Sequence, residues 1–149
     1  MGILASFGAI IALAPVQIDP HQHNCLSMNI YHESRSEPIE GQIAVAQVTL
    51  NRVSHSDWPD TICDVVHEPK QFSWTHTIAD PTPKEGKAWE IATILARDVM
   101  IGNVNDPTMG AVFYHANYVN PKWADFVDMS KVIGNHIFYT WDGDWNADN

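Results

Sequence analysis

The period of the apolar residues changes along this chain, and that change limits the folds open to it. From Cys25 to about Ile101 apolar residues recur at helical spacing; beyond Gly102 the apolar runs become short and strand-like. Helices first and strands afterwards predict an α+β domain, not an alternating α/β one. A first helix is expected from Cys25 to about Arg35, with Asn24 as its cap. Ser36 and Pro38 open a second, whose stripe is Ile39, Ile43, Ala46, Leu50 and Val53. Trp58-Pro59-Asp60 breaks that pattern, and 61–66 fits one short helical turn. Residues 67–81 have no period and read as a loop, which in a compact domain is usually functional. Thr82, Pro83 and Glu85 form a capping-box pattern for a third helix, with Ala88, Ile91, Ala92, Leu95 and Val99 inward and Gly102 as its stop. Residues 111–115 read as a strand. Gly134-Asn135 reads as a hairpin turn between 131–133 and 136–141. The polar tail after Trp141 is expected to be loose.

At 149 residues the chain can bury one core. Its formal net charge of -10, with only 8 Lys and Arg, gives no basic footprint, so nucleic-acid binding is set aside. The six Trp suit a sugar-binding cleft or a core, and core is the default. Residues 1–18 carry no charge, and Asp19 is the first. Three readings compete for them: a cleaved signal, a releasable membrane anchor, or a buried helix of a cytosolic domain. Export by either of the first two routes is favoured. Residues 19–24 then read as a linker, and 25–149 as the catalytic domain. The His21/His23 pair in that linker is expected to be solvated, not a metal site.

Cys25 and Cys63 match no zinc or redox spacing. They are either two buried thiols or one disulfide, and export favours the disulfide. Closing that loop stabilises a fold by about 3–4 kcal/mol in the chain-entropy description.

Glu33 is the candidate acid. Leu26, Ile30 and Glu33 share one helix face at i, i+4 and i+7, so the carboxylate ends an apolar stripe. Desolvation there disfavours the charged form and raises the pKa, as a general acid requires. The alternative is a structural ion pair with Arg35 or Arg52. Other chemistries lack their motifs. Ser36 and Glu37 stand where a zinc-protease HExxH would need its second His, and there is no GxSxG, Walker or GxGxxG segment. No cofactor and no metal are expected.

Several ordered segments carry a resemblance. They are Asn29-Ile30-Tyr31-His32-Glu33-Ser34-Arg35-Ser36-Glu37-Pro38, Glu40 through Val48, Leu50-Asn51-Arg52-Val53, Trp58-Pro59-Asp60 through Cys63, and Gln71-Phe72-Ser73-Trp74. Gly110-Ala111 with Phe113-Tyr114-His115, Pro121 with Trp123, and Ile133 through Tyr139 extend it. The chain resembles the cell-wall hydrolases related to spore cortex-lytic enzymes over about residues 25–139. It departs at Ser34 and Ser36, where that family usually carries Ala and Gly.

The resemblance implies a lysozyme-like, mainly helical core with a small antiparallel sheet or hairpin. It implies lytic transglycosylase activity on peptidoglycan glycan strands, with Glu33 as sole acid/base. The size and short apolar N-terminus look like those of a phage endolysin, exported to the periplasm after transient inner-membrane association and acting as a monomer. Gln71, Ser73, Trp74, Tyr114 and His115 are expected to bind substrate, with Phe72 as a further candidate for stacking. Glu37 and Glu40 are the nearby candidates for a second carboxylate. Glu37 is expected instead to serve the start of the second helix, and Glu40 to be solvated.

Overall fold

The computed structural model describes residues 16–143. Residues 1–15, which hold most of the uncharged segment, and the end of the polar tail lie outside them. Among the described residues, five α-helices precede a three-stranded antiparallel sheet. The helices are α1 (Pro20–Ser34), α2 (Ile39–Val53), α3 (Ile62–Val66), α4 (Trp74–Thr77) and α5 (Gly86–Met100). The strands are β1 (Phe113–Ala116), β2 (Asp128–Ile133) and β3 (His136–Thr140), in spatial order β1-β3-β2. The α+β order expected from the sequence is the order observed.

The 19–24 stretch is not a linker. Asp19 caps α1 by accepting from the His21 and Gln22 amides at 2.8 and 3.3 Å, and Pro20 sits in the first turn. The polar residues that hid this turn are held by distant partners. Gln22 Oε1 accepts from the Cys63 amide at 2.9 Å, and the His23 ring lies 2.8 Å from the Thr93 carbonyl. His21 is exposed and half a turn away from His23, so the pair does not converge on a common ligand.

The predicted capping box before α5 does not form either. Glu85 is the cap position but makes no side-chain cap bond. The Tyr31 hydroxyl accepts from the Lys84 and Glu85 amides at 3.2 and 3.1 Å instead. A tertiary acceptor thus does the work of a local one. Gly102, at φ 72°, follows the end of α5 as expected.

α2 runs through the middle of the molecule. Ala44, Val45 and Val48 pack with Ala111, Ile133 and Phe138 under the sheet. Ala46, Ile43, Leu50 and Val53 turn toward α1, α3 and α5, where Leu26, Ile30, Leu95 and Val99 form the larger core. The stripe predicted for α2 therefore covers only one of two buried faces, and its first member, Ile39, is exposed. A helix enclosed on two sides does not show a single stripe.

The hairpin is pinned by Glu37. Its carboxylate accepts from the Asn135 amide at 2.8 Å and from Asn135 Nδ2 at 2.9 Å, with His136 Nδ1 3.5 Å away. Gly134 has φ 57°, and a Cβ there would meet Glu37 Oε1 at 3.0 Å, so the turn needs glycine twice over. Glu37 is therefore a structural tie between the α1–α2 corner and the sheet, not a catalytic carboxylate and not merely a helix-start charge. Glu40 is exposed, as expected.

Candidate active site

Glu33 lies in the last turn of α1, where the i+7 position carries it to the edge of the core. Burial pushes its carboxyl above the usual 4.5, opposed by a hydrogen bond from Tyr114 and by the charge of Arg52. The C-terminal end of the α1 dipole adds partial negative charge there, which also favours the neutral acid.

Tyr114 reaches Glu33 from β1. Its hydroxyl donates to Glu33 Oε1 at 2.6 Å across 81 residues. Burial and the neighbouring Glu33 hold the phenol well above its ordinary 10, so it stays a proton donor. β1 supplies this geometry by alternation: Tyr114, paired with Phe138, faces the helices, while Phe113 and His115 face the other way.

The Glu33–Tyr114 bond joins two hollows. Glu33 opens on one of about 440 Å³, edged by His32, Arg35 and Glu85. Tyr114 opens on a cleft of about 450 Å³, walled by Trp58, Phe113 and Trp123 and floored by Arg52, Glu68 and Gln71. The three aromatic rings form a chain, with centroids 5.5 Å (Trp58–Phe113) and 5.2 Å (Phe113–Trp123) apart. Aromatic faces beside polar side chains suit a sugar ring, which has apolar faces and a hydroxylated rim.

Arg52 is the buried cation of this floor. Its Nε donates to the Val112 carbonyl at 2.7 Å, and Nη1 lies 3.5 Å from Gln71 Oε1. Trp58, Phe72 and Phe113 lie within 6 Å of its guanidinium carbon. Burial lowers its pKa from the ordinary value, while Tyr114, Glu68 and Glu33 favour its charge. It fixes β1 next to α2 and so places Tyr114 against the acid. Arg35, the other proposed partner of Glu33, pairs with Glu85 at 3.0 Å.

The remaining expected residues divide. Gln71 is exposed and lines the cleft with Arg52. Ser73 is exposed before α4 and lines none of these hollows, so it does not join Glu33. Trp74 is not a sugar platform. It is buried, donates from Nε1 to Asn29 Oδ1 at 2.8 Å, and stacks on His32 at 4.6 Å. Phe72 is also core.

His115 faces away from the acid. Its Nδ1 lies 2.8 Å from the Ala116 carbonyl, which can only accept, so Nδ1 carries the proton. In the neutral ring Nε2 then accepts from the Tyr139 hydroxyl, 2.7 Å away. His115 thus braces Trp123 and Tyr139 on the outer face of the sheet.

Sequence reasoning missed Arg52, Trp58, Phe113 and Trp123 as cleft residues. Trp58 looked like a helix breaker and Arg52 only like a counter-ion. The high Trp count was the one signal, and it did not distinguish cleft from core.

One other feature matches its expectation. Cys25 and Cys63 form a disulfide between α1 and α3. Ser34, where the resembled family carries Ala, is buried and donates to the Ile30 carbonyl at 2.8 Å, so its extra hydroxyl is satisfied within the helix.

Replacing Tyr114 by Phe removes a bond that favours the ionised acid. Glu33 should then hold its proton to higher pH. We expect the alkaline limb of the pH–rate profile to move upward and kcat/KM to fall about tenfold, the worth of one hydrogen bond to a reacting group. An unmoved limb would mean that Tyr114 does not tune Glu33.

Comparisons with known proteins identify the family and the fold. A sequence model described as Cell Wall Hydrolase matches residues 36–139. The spore cortex-lytic enzyme of Oceanobacillus iheyensis is 36% identical over 112 residues, covering 73% of this chain and 38% of that protein. That of Bacillus subtilis is 30% identical over 133 residues, covering 87% and 41%. The chain thus spans about two fifths of the length of these relatives. The solved catalytic domain of the germination-specific lytic transglycosylase SleB from Bacillus anthracis superposes with a TM-score of 0.69 at 32% identity, covering 85% of this chain and all of that one. The SleB catalytic domain of Bacillus cereus gives the same TM-score and identity over 89% of this chain. With these neighbours the α+β fold is of the lysozyme-like kind.

Proposed function

Because the chain belongs to the cell wall hydrolase family, we propose that it cuts peptidoglycan glycan strands as a lytic transglycosylase, with Glu33 as acid and then base. The observation that carries this reading is a half-buried carboxyl, raised in pKa and held by Tyr114, at the meeting of two hollows. A polymer must extend on both sides of the bond that is cut, and two hollows give it room to do so.

The chemistry needs one such group. Protonated Glu33 donates to the oxygen of the MurNAc–GlcNAc β-1,4 bond, and the C1–O bond breaks. The resulting carboxylate takes the proton of the MurNAc C6 hydroxyl as that oxygen bonds to C1. The products are a 1,6-anhydro-MurNAc end and a free GlcNAc hydroxyl, and Glu33 is again protonated. The nucleophile is already part of the substrate, so its effective concentration is high. Arg52 and Tyr114 both favour the carboxylate that the first step leaves, which keeps Glu33 acidic enough to give up its proton.

A hydrolytic muramidase is the second reading, and one observation favours it. Glu68 lines the cleft with a buried carboxylate oxygen, Oε2, that has no hydrogen-bond partner. A second carboxylate is what a hydrolase uses to activate water. Mass spectrometry of digested peptidoglycan separates the two. We expect anhydro-muropeptides; reducing muramic ends would replace this mechanism with hydrolysis through Glu68.

We also place the protein outside the cytoplasm, as a phage-type lysis enzyme. The uncharged segment 1–18 and the disulfide support this. No helix among the described residues is long and apolar enough to cross a membrane.

A further inference from the structure

Beside the cleft lies a smaller recess of about 360 Å³, lined by His67, Pro69, Lys70, Thr75 and His76. Three of these five side chains are basic types and none is acidic, in a chain of net charge -10. Lys70 lines both the recess and the cleft. It has no ion-pair partner within 4.0 Å among the described residues. The nearest acidic neighbour in sequence, Glu68, stands instead in the field of Arg52.

The backbone at Lys70 is unusual. Its φ is 68°, inside a turn closed by the Gln71 amide on the Glu68 carbonyl at 3.2 Å. Glycine or asparagine takes this conformation more easily than lysine does. A cationic side chain kept at a strained position on the rim between two hollows points to a ligand.

Resting on the glycosidase reading above, we propose that this recess takes the anionic stem peptide of the muramyl residue seated in the cleft, with Lys70 pairing with a peptide carboxylate. A glycan strand lies along a cleft, but each MurNAc carries its peptide sideways through a lactyl amide. A recess opening off the cleft at one cationic residue fits that branch. His67, His76 and Thr75 offer hydrogen bonds to peptide carbonyls or carboxylates. The free carboxylate of an unsubstituted lactyl group has the same charge, so the test separates the two sources.

Two measurements decide it. The first compares cleavage of peptide-bearing glycan strands with strands stripped of peptide by an amidase, for wild type, Lys70→Met, Lys70→Arg and His76→Ala. The wild type should prefer the peptide-bearing polymer. Lys70→Met should lower that preference about fivefold, the worth of one partly exposed ion pair. Lys70→Arg should keep most of it, and His76→Ala should lower it less than Lys70→Met. Equal wild-type rates on both polymers would overturn the proposal. So would a Lys70→Met loss confined to stripped strands, which assigns Lys70 to the lactyl carboxylate.

The second measurement titrates free muramyl tetrapeptide into the protein by NMR. Shifts at residues 67–76, weakened by Lys70→Met, are expected; none at millimolar peptide would overturn the proposal. If neither polymer is cut, the glycosidase reading has failed, and the titration still decides the recess.

Discussion

Glu33→Gln lowers glycan cleavage by about 10²–10⁴-fold and, above about pH 4.5, makes the folded protein more stable. The first effect follows from removing the only group that both donates and accepts the transferred proton. Gln keeps the shape and can still accept from the Tyr114 hydroxyl, so the loss reports chemistry and not collapse of the site. The second follows from burial. The folded-state pKa of Glu33 lies above its ordinary 4.5, so the folded protein holds the proton more tightly than the unfolded chain does. Its contribution is therefore present below pH 4.5 and is lost as pH rises through the folded pKa. At higher pH a carboxylate sits in a place that disfavours charge, and Gln avoids that cost.

Burial holds His32 and His136 below 6.5, so they favour the fold as pH rises. They act in both proteins and cancel in the comparison. Thermal melts of the two from pH 4 to 8, run beside a dye-release assay, test both parts. Wild-type rates in the variant would remove Glu33 as the acid. Melting curves that stay parallel at all pH would show that its charge is not strained by burial.

Opening the Cys25–Cys63 bond destabilises the domain by about 4 kcal/mol. The bond closes a loop with a sequence separation of 38, and the chain-entropy relation gives this size for such a loop. For a domain of this length that corresponds to a fall in Tm of roughly 10–15 °C. The bond ties the first half of α1 to α3, whereas Glu33 lies in the last turn and is held by α2, Tyr114 and Arg52. We therefore expect a reduced or Cys25→Ser/Cys63→Ser protein to cleave normally at 25 °C and to inactivate early on heating. Calorimetry with and without reductant measures the first quantity, and residual activity after heating the second. An unchanged Tm would mean that packing of α1 on α3 already restricts the loop without the bond. The dependence has a consequence for location: a domain stabilised this way gains its full stability only in an oxidising compartment.

The candidate acid was legible because its signal is local. Leu26, Ile30 and Glu33 share a face on any helix through those residues, whatever surrounds it. The partner was legible only in kind. Tyr114 could be named from its family position, but its approach to Oε1 depends on β1 lying beside α2. Arg52 shows the same limit from the other side. In sequence it is one basic residue in the last turn of a helix, and nothing local says that Val112, Gln71 and three aromatic rings will close round it.

Trp74 and His115 misled for a related reason. Both have side chains suited to sugars, and both stand in segments that match the family. Residue type does not say which way a side chain faces. Trp74 belongs to a single helical turn folded inward, where Asn29 satisfies its N–H. His115 follows Tyr114 on a strand, so the alternation that aims Tyr114 at Glu33 aims His115 away from it.

The sequence by itself determined most of the helical and strand segments, the candidate acid at the end of an apolar stripe, the Gly134-Asn135 turn and the α+β order, since each depends on spacing within one element. The tertiary structure alone decided which faces meet. It moved the start of α1 to Asp19, replaced a local cap by the Tyr31 hydroxyl, buried Trp74, and built the cleft wall from Trp58, Phe113 and Trp123. Those outcomes depend on the packing of elements far apart in the chain, and burial and long-range hydrogen bonds, not local spacing, set their energies.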